Sequence, residues 1–128
     1  MEAARALSSR LEVPGVAEAL LTPVDRVFGA TSSWVLLHDE RDGVLRTVAF
    51  RGSDGDAFRD ARIPVDGGIM GLAFSSREVV FVPDAQSDDR WFDAARIRRT
   101  AMASAFAVPL LCQGRALGVV GLDSPRFN

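Results

Sequence analysis

The apolar positions of this chain fall into strand-like runs separated by polar turns, with helix-like spacing at the N-terminus and in two shorter stretches. Ala105 to Leu111 and Ala116 to Asp123 are apolar runs on either side of Cys112-Gln113-Gly114-Arg115, which predicts a β-hairpin around a glycine turn. Neither arm alternates cleanly between apolar and polar. Both faces of the hairpin are therefore expected to be covered, one by helices and the other by a segment that would shelter a ligand. Ser32 to His38 and Val44 to Phe50 read as two further strands, joined by Asp39 to Gly43 with Asp42-Gly43 as the turn signal. Ile63-Pro64-Val65 reads as a short strand and Glu78 to Val82 as another, ended by Pro83-Asp84. Pro109 conflicts with a central strand, because proline has no N–H to donate; a bulge there or an unpaired edge segment would resolve the conflict.

The helical spacing comes first at residues 2 to 12, where Leu7 and Leu11 stand four apart in an alanine- and arginine-rich run. A lone helix of that length is marginal in water, so it is expected to pack on a neighbour, a second copy of the chain being one. Pro14-Gly15 breaks the run. Val16, Leu20, Val24, Val27 and Phe28 then share one face of a second amphipathic segment. Pro23 inside it would cost about 3 kcal/mol unless the helix bends or restarts, which predicts a kink with Thr22 as a new N-cap. Ile69 to Phe74, after Asp66-Gly67-Gly68, has helical spacing, and Ala94 to Met102 is a further short helix. Arg51 to Arg62 reads as a loop, and Ala85 to Ala94 as a mixed segment. The order of elements implies an α+β fold around an antiparallel sheet.

With 128 residues, 48% of them hydrophobic and 25% charged, the chain has the composition of one globular domain able to bury a core without staples. No apolar stretch reaches the length of a membrane span, and no signal-peptide pattern opens the chain, so the expectation is a cytoplasmic protein without membrane insertion. A net charge of -2 argues against a dedicated nucleic-acid binder. All 15 basic residues are arginine and tyrosine is absent, the usage of a GC-rich and hence bacterial coding sequence. Arginine at any one position is correspondingly less telling. The single cysteine, Cys112, excludes an internal disulfide and a cysteine-based zinc cluster.

Several segments together resemble the GAF domain family, the small-molecule sensor modules of signalling proteins. These are the amphipathic helix, the Trp34 to Asp39 strand, Ile63-Pro64-Val65 with Gly67-Gly68-Ile69-Met70-Gly71, the stretch from Val80 to Phe92, and the hairpin from Val108-Pro109-Leu110 to Asp123. They follow the family's order and cover the chain from about Gly15 to Asn128. The resemblance implies a GAF/PAS-like central antiparallel sheet of about five to six strands. Terminal helices would lie on one face, with a pocket roofed by loops and short helices on the other. Residues 1–14 are then a separate N-terminal helix, a candidate for dimerisation or signalling, and residues 15–128 the domain itself. Such domains usually run on into a long helix, so a chain ending at Phe127-Asn128 reads as a module of a larger regulatory protein.

The candidate ligand-binding residues, chosen by segment position, are Phe50, Met70, Asp84, Trp91, Phe92, Met102 and Phe106. Asp84, Asp88 and Asp89 with Trp91 and Phe92 set aromatics among hydrogen-bonding groups, as a pocket for a small polar molecule requires. Asp84 after Pro83 also reads as a helix cap. Gly67-Gly68 at a helix start could hold an anion, but the spacing matches no phosphate-binding fingerprint and a tight turn with close packing is favoured. Arg96, Arg98 and Arg99, preceded by Arg90, form a solvated basic face, or hold the anionic part of a ligand at the pocket roof. His38, the only histidine, reads as a solvent-facing strand end in preference to a haem ligand.

The resemblance further implies a sensory or regulatory domain that binds a small molecule and signals to an effector domain, such as a histidine kinase, a cyclic-dinucleotide enzyme or a transcriptional regulator. The Asn-Lys-x-x-x-Phe-x-x-x-Asp-Glu pattern of cyclic-nucleotide-binding members is not found here, and no cofactor is identified. A homodimer through the terminal helices and an effector domain in the same or a partner chain are the implied partners. The alternative is a ligand-free dimerisation scaffold whose pocket is filled by Trp34, Phe50, Phe74, Phe81, Trp91, Phe92 and Phe106. Free methionine-sulfoxide reduction, found in some family members, uses several cysteines, and Cys112 alone argues for a chain that is not an enzyme.

Overall fold

The computed structural model of the chain describes residues 32–124. The expected N-terminal helices, with Leu7, Leu11, Leu20 and the Pro23 kink, lie outside those residues. Within them, β1 (Ser32–Asp39), β2 (Val44–Arg51), β3 (Arg62–Pro64), β4 (Val80–Val82), β5 (Ser104–Cys112) and β6 (Arg115–Ser124) form a six-stranded sheet in the order β3-β2-β1-β6-β5-β4. Every pairing is antiparallel. Helix α1 (Gly68–Ser76) packs across one face, and α2 (Ala94–Ile97) is a single turn in the segment that leads into β5.

The β1–β2 hairpin closes where the sequence signals it. Gly43 adopts φ +67, its N–H bonds to the Asp39 carbonyl at 2.8 Å, and the Asp39 carboxylate accepts from the N–H groups of Arg41 and Asp42. The β5–β6 turn places Gln113 at φ 52 and Gly114 at φ 78, consecutive left-handed residues of the kind that match hairpin twist. Pro109 stays in register opposite Val119, and the irregularity falls one residue later, between Leu110 and Leu111. Since β4 pairs only with Ala105 to Ala107, the outer edge of β5 at Pro109 has already passed the end of its neighbour. The edge-segment explanation therefore fits better than a bulge at the proline itself.

Two clusters of buried side chains lie on opposite faces. Trp34, Leu36, Leu45, Ile69, Met70 and Val119 belong to the larger one, under α1 and the loops. Val35, Ala49, Val120 and Leu122 form the smaller one on the other face. From Gly118 to Asp123 β6 is buried on both sides, while Leu111 and Leu117 beside the turn are exposed, so the expected cover stops short of the hairpin tip. A bulge in β2 between Thr47 and Ala49, opposite Leu36 and Val35, switches Ala49 to the smaller cluster and returns Phe50 to the larger one.

Gly121 on β6 is what admits Trp34. A Cβ at this position would coincide with the Trp34 indole, in contact with Nε1, Cε2 and Cζ2. The indole therefore lies flat against bare backbone, fully buried. Its outer face stacks on Phe58 at 4.2 Å between centroids and 10° between planes, and Nε1 donates to Met70 Sδ at 3.4 Å. Phe58 corrects the reading of residues 51 to 62 as a plain loop, because Gly55–Phe58 is a 3-10 helix whose last residue is core. The expected helix from Ala94 to Met102 is also shorter. It stops at Ile97, where Thr100 donates both its N–H and its hydroxyl to the Ile97 carbonyl.

Candidate functional site

Between the 3-10 helix, β3, α1 and the segment Trp91 to Ile97 the structure leaves a cavity of about 260 Å³. Its inner wall is apolar, made by Phe58, Ile63, Ile69, Met70, Trp91 and Ile97. Asp60, Arg62, Asp93 and Arg96 stand among its polar lining. An apolar chamber with a few converging polar groups is the ordinary form of a small-molecule site.

Each wall has a local cause. Trp91 is buried, and its indole N–H donates to the Ala85 carbonyl at 3.0 Å, so the ring is fixed at its polar end while its body faces Phe58 at 6.3 Å. The Ala85 N–H in turn donates to the carbonyl of Ala103, the residue before β5, at 2.8 Å. The Gln86 side-chain amide completes the tie, reaching the carbonyls of Ile97 and Thr100 at 3.2 Å and of Met102 at 2.9 Å. Two hydrogens shared among these acceptors satisfy the carbonyls left open where α2 ends. Asp93 is the N-cap of α2, accepting the Arg96 N–H at 3.1 Å.

The glycine pair proves to be a packing device. Gly68 has φ +61, and a Cβ there would come within 2.8 Å of Phe92 Cβ; one on Gly67 would lie 3.2 Å from Phe92 Cδ1. Phe92 thus sits over the N-terminus of α1, where an anion would otherwise have docked. The glycines pack on Phe92 and on the Pro64 to Asp66 turn, where packing on the sheet had been expected.

Of the residues expected to bind a ligand, Met70, Trp91 and Phe92 come together on the cavity. Met102 is wholly buried in the core. Phe50 packs on the same core and carries the Arg59 guanidinium 4.8 Å above its ring. Phe106 stacks on Phe81 at 4.7 Å across β4 and β5. Asp84 is exposed beyond β4, off the cavity wall, and a turn follows it instead of a helix. The helix cap in this region is Asp93. Asp88 and Asp89 are loop fasteners: Asp88 pairs with Arg90 at 2.7 Å and Asp89 with Arg98 at 3.0 Å. The Arg90 guanidinium holds the Asp88 carboxyl below the usual carboxylate range, against a smaller opposing effect of burial.

His38 is half-buried and meets Phe74 edge-on at 4.9 Å, so the solvent-facing strand end is in fact a packed one. Cys112 is exposed at the hairpin corner, away from the cavity wall. Phe58, Gln86 and Asp93 were missed from sequence. An aromatic inside an otherwise polar loop marked Phe58, and an aspartate immediately before a helical run marked Asp93; Gln86 carried no such mark.

The family model described as GAF domain matches residues 11–128. No curated protein matches the chain. Among solved structures, the chain is similar to the free methionine-R-sulfoxide reductase of Neisseria meningitidis in complex with its substrate, at 25% identity and a TM-score of 0.66, over 89% of this chain and 61% of that one. It is similar to the GAF domain of an Acinetobacter phosphoenolpyruvate-protein phosphotransferase, at 17% identity and a TM-score of 0.70, over 88% and 65%. A third likeness is to a domain assigned to a two-component sensor histidine kinase of Sinorhizobium meliloti, at 24% identity and a TM-score of 0.68, over 89% and 74%. The chain thus spans less than two thirds of the length of the first two.

Proposed function

The chain belongs to the GAF domain family, and from that premise we propose that it is a sensory module that binds a small molecule and signals to an effector domain of a larger protein. The observation that carries this reading is the cavity of about 260 Å³ against Trp91, apolar within and polar at its edge. A ligand that favours one packing of the roof shifts the population of roof conformations, and with it whatever the roof restrains. The likeness to a domain of a sensor histidine kinase supports a signalling context. A homodimer, a cytoplasmic location and a non-catalytic role are part of the same proposal.

The scaffold alternative is less well supported. Of the seven aromatics offered to fill the pocket only Trp91 and Phe92 line it, and the space between them and Phe58 stays open. The reductase alternative has its support in the Neisseria relative. Thiol-based sulfoxide reduction needs a thiolate at the substrate sulfur, and the chain's single cysteine is at the hairpin corner.

A thermal-shift screen of the whole chain with a fragment library tests the proposal. Binders should raise Tm in proportion to ln(1 + [L]/Kd), and Ala61→Leu, which fills the cavity from β3's approach, should remove the shift. A library without a single cavity-dependent binder would refute it, and turnover of free methionine sulfoxide abolished by Cys112→Ser would replace it with the enzyme.

A further inference from the structure

The cavity does not end at its rim. Ala57 and Arg96 also line a neighbouring depression of about 390 Å³, together with Ser53, Asp56, Arg59, Arg99 and Thr100. Three arginines and one aspartate border this second space, and the aspartate is taken: Asp56 pairs with Arg59 at 2.7 Å. With Asp93 beside Arg96, Arg99 gives the depression its net positive charge.

The charges on the cavity itself are differently disposed. Arg62 is drawn outward to Asp42 at 2.6 Å. Asp93 accepts the Arg96 N–H at 3.1 Å, and its other oxygen stands 3.8 Å from Arg96 Nε. Asp60 is the remaining carboxylate in the lining. Arg96 donates from Nη1 to the Ala57 carbonyl at 3.1 Å. That bond and the nearby Asp93 hold the guanidinium at the boundary of the two spaces, while a fork of five N–H donors keeps capacity for a further acceptor.

The sizes divide in the same way. An apolar cavity of about 150 Å³ accepts benzene, so about 260 Å³ suits one bicyclic or branched apolar body. The depression beyond it offers a guanidinium, whose geometry matches a carboxylate.

Resting on the small-molecule reading above, we infer that the ligand is a small amphipathic anion. Its apolar body lies between Phe58 and Trp91, and its carboxylate lies on the Arg96 and Arg99 side. Charge-assisted hydrogen bonding then makes the anion bind at least about 10-fold better than its neutral amide.

Calorimetric titration of the whole chain with indole-3-acetate and with indole-3-acetamide tests this. The acid should bind at least about 10-fold more tightly and lose that advantage in high salt. Arg96→Gln and, independently of any effect on the Ala57 contact, Arg99→Gln should weaken the acid and leave the amide unchanged. Ala61→Leu should weaken both. Equal binding of acid and amide would overturn the anion assignment while leaving a small-molecule site in place, as would acid binding indifferent to both arginine variants. If neither probe binds, the assignment falls, and the sensory reading falls with it only if the fragment library also yields no cavity-dependent binder.

Discussion

Gly121→Ala isolates the fit of Trp34 to β6. The new methyl would start inside the indole, in contact with Nε1, Cε2 and Cζ2, so the ring or the strand must move. The ring has little room, being fully buried and stacked on Phe58 at 4.2 Å with Nε1 engaged by Met70. Overpacking of this kind costs about 1–3 kcal/mol, and loss of the aromatic stack adds about 0.5–1.5 kcal/mol. Against this, alanine restricts the unfolded chain and returns about 0.4–1 kcal/mol. The net expectation is about 2 kcal/mol of destabilisation, a fall in Tm of about 6–9 °C for a domain of this size. The assay is urea unfolding of the parent, Gly121→Ala, Trp34→Leu and the double variant. Leucine ends short of the indole atoms that meet the methyl, so the double variant should be more stable than the sum of the single effects by at least about 1 kcal/mol. A stable Gly121→Ala protein, or additive effects around the cycle, would refute the account.

Gln86→Ala should destabilise by about 1–3 kcal/mol, because the carbonyls of Ile97, Thr100 and Met102 lose their shared donor; hydrogen exchange should rise between Ile97 and Met102 more than in β1. Gly68→Ala and Gly114→Ala are both strained, at φ +61 and φ +78, and both should lower Tm, but only Gly68→Ala, pressed on Phe92, should displace that ring. Asp88, its carboxyl held below the ordinary 3.8 by Arg90, contributes stability that is complete above that value and is lost as the pH falls through its lower folded value. Acid titration of Asp88→Asn should therefore show a shallower loss of stability below about pH 4 than the parent, as read by Tm against pH.

Much of the sheet was legible because its determinants are local. Asp42-Gly43 and Gln113-Gly114 set two hairpins through backbone conformation, and unbroken apolar runs marked β5 and β6 as strands, buried on both faces from Gly118 to Asp123 of β6. What stayed hidden depends on contacts between residues far apart in sequence. Phe58 became core because Trp34, 24 positions earlier in the sequence, presents a flat face to it, and no spacing within residues 51 to 62 carries that fact. The helix after Ala94 is short because Gln86 and Thr100 claim the carbonyls that would have continued it. The site residues divide likewise. Trp91 and Phe92 were found as aromatics in a polar linker, whereas Phe106 and Phe50 were chosen by segment and turn out to be committed to Phe81 and Arg59.

The route from cavity to sheet follows from the same hydrogen bonds. The roof residues Trp91 and Ile97 are not independent of β5: Ala85 is bonded to Ala103 and Gln86 to Met102, the residues that lead directly into Ser104. On the proposed reading, a ligand that pressed on Trp91 would act on the start of β5 through these two contacts. β5 is paired along its length with β6, and β6 carries Val120 and Leu122 on the far face of the sheet. Packed interiors shift between discrete arrangements more readily than they deform, so on the proposed sensory reading a displacement at Met102 would be transmitted as a change of strand position. Gln86 is one of two joints in this path, the other being the Trp91–Ala85–Ala103 chain of hydrogen bonds. Replacing Gln86 should weaken the far-face response, read as hydrogen exchange at Val120 and Leu122 on ligand addition, while leaving Phe58, Ile63 and Ile69 in place; a variant that lost ligand affinity and far-face response together in equal measure would show that the path runs elsewhere.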